Sequence, residues 1–270
     1  MLAEERRHKI LDIIQEEGRV IAKDLADMFE ISIDSIRRDL TIMEEQGLLQ
    51  KTYGGAIIID TIPKVRTLPQ PESTRYGFAA PHQNSISKLA ASYINMHDTV
   101  FIGGAGIQFG MLKYLPFNFP FTVITNSIKI AEAIRKRENI TSYLIGGKLR
   151  ADSAGSMIDT LAIEMIRKFT LDKSFLTGGG IDSKGISTAT PEGAAFSRAV
   201  SEISRKNICL APYEKVGHRM FIMSVPIEAI DLMITDQGAS ETAIQDIKRK
   251  QVEIIFADEK ELERENNEMA

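Results

Sequence analysis

The chain has 270 residues and a mass of 30.0 kDa, with 43% hydrophobic residues and 33 Lys+Arg against 37 Asp+Glu, a net charge of −4. That apolar content argues against a disordered or collagen-like chain, and no run approaches the length of a membrane-spanning helix. The single Cys209 excludes an intrachain disulfide framework and a multi-cysteine metal site. The four histidines show no ligand spacing, so neither a metal nor a cofactor is expected. The start Met1-Leu-Ala-Glu-Glu-Arg-Arg lacks the apolar stretch of a signal peptide, which leads us to expect a cytoplasmic protein with no membrane partner. Mild acidity gives no global reason to expect a polyanion partner.

The first sixty residues carry three helical patterns and a hairpin. A helix is predicted from about Ala3 to Glu17, with Ile10, Ile13 and Ile14 on one face and Gly18 as terminator. A second covers about Ile21–Phe29, with Leu25, Met28 and Phe29 inward. A third starts after the N-cap candidate Ser32 and ends at Gln46. Its Ile33, Ile36, Leu40 and Met43 recur at spacings of three and four. Leu48–Thr52 and Ala56–Ile59 then flank Tyr53-Gly54-Gly55, read as a hairpin turn.

Pro63, Pro69, Pro71 and Pro81 mark residues 61–81 as an extended linker. Beyond it, apolar runs alternate with amphipathic helices. The strand candidates are Thr99–Ile102, Phe121–Thr125, Ser142–Ile145, Lys173–Thr177, Asn207–Ala211, Met220–Met223, Leu232–Thr235 and Glu253–Ala257. The helix candidates are Ile128–Lys136, Met157–Phe169, Glu192–Arg205 and Ser240–Lys250. Such alternation predicts a mainly parallel sheet covered on both faces over residues 82–257, followed by a polar tail at 258–270. Cys209, Met220, Met223 and Met233 are read as core.

Three helices followed by a glycine-turned hairpin is the winged helix-turn-helix order. With the core stripe inward, Asp34, Arg38 and Thr41 on helix three point outward and Ser35 and Arg37 lie on the flanks. Arginine forks reach guanine edges or phosphates, and serine suits either. Lys51, Tyr53 and Gly54 on the wing are placed to meet neighbouring phosphates. Residues 1–60 nevertheless hold 8 Lys+Arg against 13 Asp+Glu, a net of −5. DNA binding therefore requires sorted charge, with Arg6, Arg7, Lys9, Arg37, Arg38 and Lys51 on one surface.

The runs Ile33-Asp-Ser-Ile-Arg-Arg-Asp-Leu, Glu44-Glu-Gln-Gly-Leu-Leu and Tyr53-Gly-Gly-Ala, with the opening Arg6-Arg-His-Lys-Ile-Leu, strongly resemble the DeoR family of bacterial transcription regulators. The resemblance extends to about Ala257. It implies a DNA-binding domain over 1–60, with the helix-turn-helix proper at 20–39 and the wing at 48–59. It also implies an α/β effector domain resembling ribose-5-phosphate isomerase. Double-stranded operator DNA, a phosphorylated small-molecule effector, and a homodimer or homotetramer are implied with it. The implied DNA contacts are Arg6, Ser32, Ser35, Arg37, Arg38, Thr41, Lys51, Tyr53 and Gly54.

In the second domain, glycine turns stand at strand ends. Phe101-Ile-Gly-Gly-Ala-Gly places Gly104 and Gly106 where backbone N–H groups face an anion. Phe109 replaces the third glycine of a dinucleotide fingerprint, and no acid follows the second strand, so that cofactor is not expected. Thr125-Asn126-Ser127, Gly146-Gly147-Lys148-Leu149-Arg150, Asp172-Lys173, Gly180-Ile181-Asp182 and Lys215 match family segments. The effector residues this implies are Gly104, Gly106, Asn126, Ser127, Gly147, Lys148, Arg150 and Lys215.

The chain also departs from the family. Gly103-Gly104-Ala105-Gly106-Ile107 stands where the family has Asp-x-Gly-Thr-Thr. Gly193 and Ser197 replace a Glu and a Lys, Pro212 replaces an Asp, and Gln83 aligns with a Lys. These changes remove side chains able to move protons, so a non-enzymatic repressor with an altered or weakened effector response is expected. An isomerase-type enzyme carrying a winged helix, and a scaffold whose second domain only oligomerises, stay open as alternatives.

Overall fold

The structure, a computed structural model, describes residues 3–45, 48–57, 79–149 and 156–258. Residues 61–78 of the linker expected at 61–81, Gln46 at the expected end of helix three, the wing end at 58–59, Arg150, and the polar tail from 259 onward lie outside the described residues. Two compact units are formed, Met1–Lys64 and Val65–Ala270.

In the first unit, α1 (Ala3–Glu17), α2 (Ala22–Phe29) and α3 (Ile33–Glu45) surround one core. Ile10, Ile14, Leu25, Ile36, Leu40 and Met43 are at most 2% exposed there. Burying one such side chain contributes about 1.5–3 kcal/mol, which is what holds α3 in place against α1 and α2. Met28, expected inward, is 61% exposed instead. The buried face of α2 is formed by Ala22, Leu25 and Ala26, and at 3.6 residues per turn Met28 falls well away from it; Glu30 then ends the helix in a left-handed conformation (φ 55°).

The wing has one strand more than the hairpin expected. β1 (Arg19–Ile21) joins β2 (Gln50–Thr52) and β3 (Gly55–Ile57) in the order β1-β3-β2, all antiparallel. Gly55 is therefore a strand residue paired with both Ile21 and Thr52, not part of the turn. Its missing side chain is required, since a Cβ there would strike the Val20 carbonyl oxygen.

In the second unit, the expected linker gives up its last residue, because Pro81 opens α4 (Pro81–Ser92), where a missing N–H costs nothing. Among the described residues seven strands form one wholly parallel sheet. They are β4 (Thr99–Ile102), β5 (Phe121–Thr125), β6 (Ile140–Leu144), β7 (Leu171–Leu176), β10 (Ser204–Leu210), β12 (Leu232–Asp236) and β13 (Glu253–Ala257). Their order is β13-β12-β10-β7-β4-β5-β6. The chain runs outward from β4 to β6, then resumes on the other flank of β4 with β7. The order reverses between β4 and β7, and the crevice outside the carboxyl ends at such a reversal is where open α/β sheets bind ligands.

Helices cover both faces. One core holds Ile86, Ile102, Met111, Val123, Phe175 and Ile234, the other Ile124, Leu176, Phe196, Cys209, Met233 and Ile244. Among the described residues the remaining α-helices are α5 (Gly106–Gly110), α6 (Ile128–Ile134), α7 (Thr160–Ile166), α8 (Pro191–Glu202) and α9 (Glu241–Lys248). α7 is shorter than the 157–169 expected, because Asp159 caps its N-terminus and Ser156 bridges to Ser127 instead. α8 stops at Glu202 rather than 205, because Ser204 already pairs with Leu171 in the central sheet.

A second sheet, β8 (Gly180–Asp182), β9 (Gly185–Thr188) and β11 (Ile222–Pro226), is antiparallel in the order β11-β9-β8. It claims Gly180-Ile181-Asp182, expected as a turn, and leaves Met223 44% exposed rather than in the core. Met233 is fully buried, as is Cys209 at 1%.

Candidate nucleic-acid interface and effector crevice

The candidate interface is built on α3. Ser32 caps it, its Oγ accepting from the Ser35 N–H at 3.2 Å and lying 2.9 Å from Ser35 Oγ. Behind the helix, Arg6 Nε donates to Asp39 Oδ2 at 2.7 Å and Arg7 Nη1 to Oδ1 at 3.2 Å. The Arg6 and Asp39 side chains are only 12% and 5% exposed. Arg6 is thus turned inward to fix α3 against α1, and Arg7 is drawn in with it, which corrects the expectation that both lie on an open basic face.

The outward cations differ. Arg38 is exposed, and among the described residues the Arg37 side chain makes only a solvent-exposed pair with Asp34 at 3.3 Å, a contact of small energy. Lys51 Nζ donates to Thr41 Oγ1 at 2.7 Å, and Thr41 Oγ1 donates to the Arg37 carbonyl at 2.8 Å. This chain ties the wing to the recognition helix. Lys51 N–H also donates to Glu44 Oε1 at 2.8 Å. Tyr53 is wholly exposed at the wing tip, and the Gly54 carbonyl accepts from Ala22 N–H at 2.8 Å.

A cleft of about 570 Å³ lies between α3 and the wing, lined by Lys23, Arg37, Lys51, Thr52, Tyr53 and Gly54 among others. Lys23 was missed in the sequence because α2 offered no reason to face the wing; only the fold brings them together. Lys9 borders a different hollow with Asp12, Met28 and Glu30.

At the crevice of the parallel sheet, the loop after β4 is filled by its own chain. Gln108 is 4% exposed; its Oε1 accepts from Ala105 N–H at 2.9 Å and its Nε2 donates to the Phe175 carbonyl. The Ala105 N–H, between the two glycines expected to face an anion, is thereby satisfied internally. Gly104 packs so closely on Ser127 and Ser156 that a Cβ would collide with Ser156 Oγ. Gly106 opens α5.

Asn126 holds Met157 beside the end of β5. Its Nδ2 donates to the Met157 carbonyl at 2.9 Å, and Met157 N–H donates back to the Asn126 carbonyl at 3.0 Å. Its buried Oδ1 has no hydrogen-bond partner among the described residues. Ser127 caps α6, its Oγ accepting from Ile130 N–H.

Gly147 and Lys148 lie against Asp159, whose Oδ1 accepts from Lys148 N–H at 3.1 Å while the Lys148 side chain is exposed. Desolvation pushes the Asp159 carboxyl up, but backbone donors including Lys148 and Ala162 outweigh it and hold it below the ordinary range. Lys215 Nζ reaches Thr177 Oγ1 at 3.5 Å, joining the ends of β7 and β10. Asp172 and Lys173 instead serve the amino ends of the strands, where Lys173 pairs with Asp98 and Asp172 accepts from Thr99 N–H.

Residues 6–62 match the family model of the DeoR-like helix-turn-helix domain, and residues 79–237 match that of the DeoR C terminal sensor domain. The chain belongs to the DeoR family. It is 31% identical to the HTH-type transcriptional repressor GlcR of Bacillus subtilis over 97% of this chain and 99% of that protein. It is 29% identical to the transcriptional repressor AccR of Agrobacterium fabrum over 92% and 94%. Among solved structures, the full-length sorbitol operon regulator SorC from Klebsiella pneumoniae overlaps 89% of this chain and 98% of its own at a TM-score of 0.39 and 13% identity. This DeoR-family chain is a DNA-binding transcriptional regulator, and no helix among its described residues is long and apolar enough to cross a membrane.

Proposed function

We propose that this regulator represses genes of carbohydrate metabolism by reading operator DNA with α3 and the wing. Arg38 carries the reading: it is exposed on the recognition helix, while the neighbouring Asp39 is buried and locks that helix to α1. Arg37, Ser32, Ser35 and Thr41 on the helix, Lys51, Tyr53 and Gly54 on the wing, and Lys23 beside them complete the surface. Arg6 acts by positioning α3. The named relatives include repressors, one of them a putative aga operon repressor of Escherichia coli O157:H7. Two-fold dimers or tetramers fit a paired operator, since half-sites one helical turn apart are read by symmetric copies.

The sensor domain of our proposal answers weakly to common sugar phosphates, or answers to a different phosphorylated ligand, because Gln108 and Ser156 close the loop after β4. Asn126, Ser127, Gly147, Lys148, Arg150 and Lys215 are the residues we assign to such a ligand. It performs no isomerisation, since Gly103, Gly193, Ser197 and Pro212 bring no proton-transfer side chain to the positions where the family carries them.

Selection of bound fragments from a genomic pool at physiological salt, repeated with metabolite extract, tests this reading. Enrichment of one paired motif supports it, and binding that never rises above the non-specific level overturns it. A melting panel of hexose and pentose phosphates should show no clear rise; a clear rise refutes the closed-loop reading.

A further inference from the structure

Away from the glycine loop, three metal-ligating side chains meet at another corner of the sheet. They come from the first turn of α4, the turn at Tyr213–Lys215 after β10, and the last residue of β12. His82 Nε2 stands 3.2 Å from Glu214 Oε2, and one ligand atom from each of His82, Glu214 and Asp236 lies within 4.8 Å of the others. No local spacing announces this set, because His82 lies 132 residues before Glu214 and strand β11 intervenes between Glu214 and Asp236.

Asp236 is the informative member. It is 2% exposed, and among the described residues it forms no ion pair with a lysine or arginine. Its Oδ1 and Oδ2 accept from the backbone N–H groups of Tyr213 at 2.8 Å and Gly238 at 3.1 Å. Those donors orient the carboxylate without cancelling its charge. Glu214 adds a second carboxylate, itself held by Gln83 Nε2 at 2.8 Å. The His82 ring packs on Tyr213 with centroids 5.1 Å apart. Buried charge is normally paired or used to coordinate a metal, and here one imidazole faces two carboxylates.

We propose that His82, Glu214 and Asp236 form a binding site for a divalent transition ion, Zn²⁺ or Mn²⁺. A mixed imidazole and carboxylate set suits these ions, whereas Mg²⁺ and Ca²⁺ prefer oxygen alone. Metal–ligand bonds of about 2.0–2.2 Å place neighbouring donors roughly 3–4 Å apart, so the cluster needs only a slight closure. Glu214, with a side chain 40% exposed, is free to supply it. The ion would pin the start of α4, the first helix described after residues 58–78, to the carboxyl ends of β10 and β12.

The full-length protein, stripped with EDTA and freed of chelator, is melted with and without Zn²⁺, Mn²⁺ and Mg²⁺, beside Glu214→Gln and His82→Gln. An ion at 100 times its Kd should raise the wild-type midpoint by roughly 5–10 °C, and the rise should be lost in both variants. Glu214→Gln alters a half-exposed side chain, and matching far-UV spectra of the ion-free proteins check its fold. No rise with Zn²⁺ or Mn²⁺, or an equal rise in both variants, overturns the site.

Discussion

Arg6 Nε donates to Asp39 Oδ2 at 2.7 Å, joining α1 to the recognition helix across 33 residues of sequence. Arg7 occupies the other carboxylate oxygen. The residue immediately before Asp39 is the outward Arg38, so one buried anion sets the angle at which the helix presents its reading face. Asp39→Asn strands two partly buried guanidinium groups and should cost about 3 kcal/mol. Amide exchange in α1 and α3 of the full chain should then accelerate by roughly a hundredfold.

Arg38→Ala removes an exposed side chain and should leave that exchange unchanged. Operator affinity should fall by roughly 1–3 kcal/mol, with relaxed preference at one base pair, if the guanidinium reads a base edge. Gel-shift titration at fixed salt measures it, and an unchanged Kd would remove Arg38 from the interface.

Lys51 and Lys23 border the same cleft but carry different duties. Lys51→Met breaks the Lys51–Thr41 link between wing and helix as well as losing a charge. Lys23→Met loses only a charge. Both should lower the slope of log affinity against log salt by about 1 if each meets a phosphate, and only Lys51→Met should also perturb the amide signals of α3.

Asp159 titrates below the ordinary carboxylate range because backbone N–H donors outweigh its desolvation. A folded-state pKa below the unfolded value near 3.9 contributes stability that is present above that value and lost as pH falls through the folded pKa. Melting of the wild type and Asp159→Asn from pH 6 down to pH 2.5 should therefore converge at the acid end, with the wild type higher near pH 6.

Burial pushes the Cys209 thiol up to about 12, against a smaller opposite pull from Lys215. The thiolate is the reactive form, so an aromatic disulfide reagent at pH 8 should leave the native thiol untouched and titrate it fully in denaturant. Rapid native labelling would contradict the burial.

Gly104 tests whether the effector loop is closed. A Cβ there meets Ser156 and Ser127, so Gly104→Ala should destabilise the sensor domain by about 1–3 kcal/mol, read as a lower melting midpoint. Equal stability would mean that the Ser156 and Ser127 side chains yield easily.

Short-range physics made much of this chain legible as sequence. The spacing of Ile36, Leu40 and Met43 predicted the buried stripe of α3, and Ser32 predicted its cap, because both depend on neighbours within a turn or two of helix. The alternation of apolar runs predicted a parallel sheet, and the motifs of both domains predicted the family. The three-residue β1 has no comparable signal; it exists only because β3 arrives beside it from more than thirty residues away. For the same reason Arg6 looked like a surface cation until Asp39 claimed it, and His82, Glu214 and Asp236 looked unrelated until the sheet brought them together. Local periodicity is written in adjacent residues. Which charge is spent inside the fold and which is left for DNA is decided by contacts that form only when distant segments close on one another.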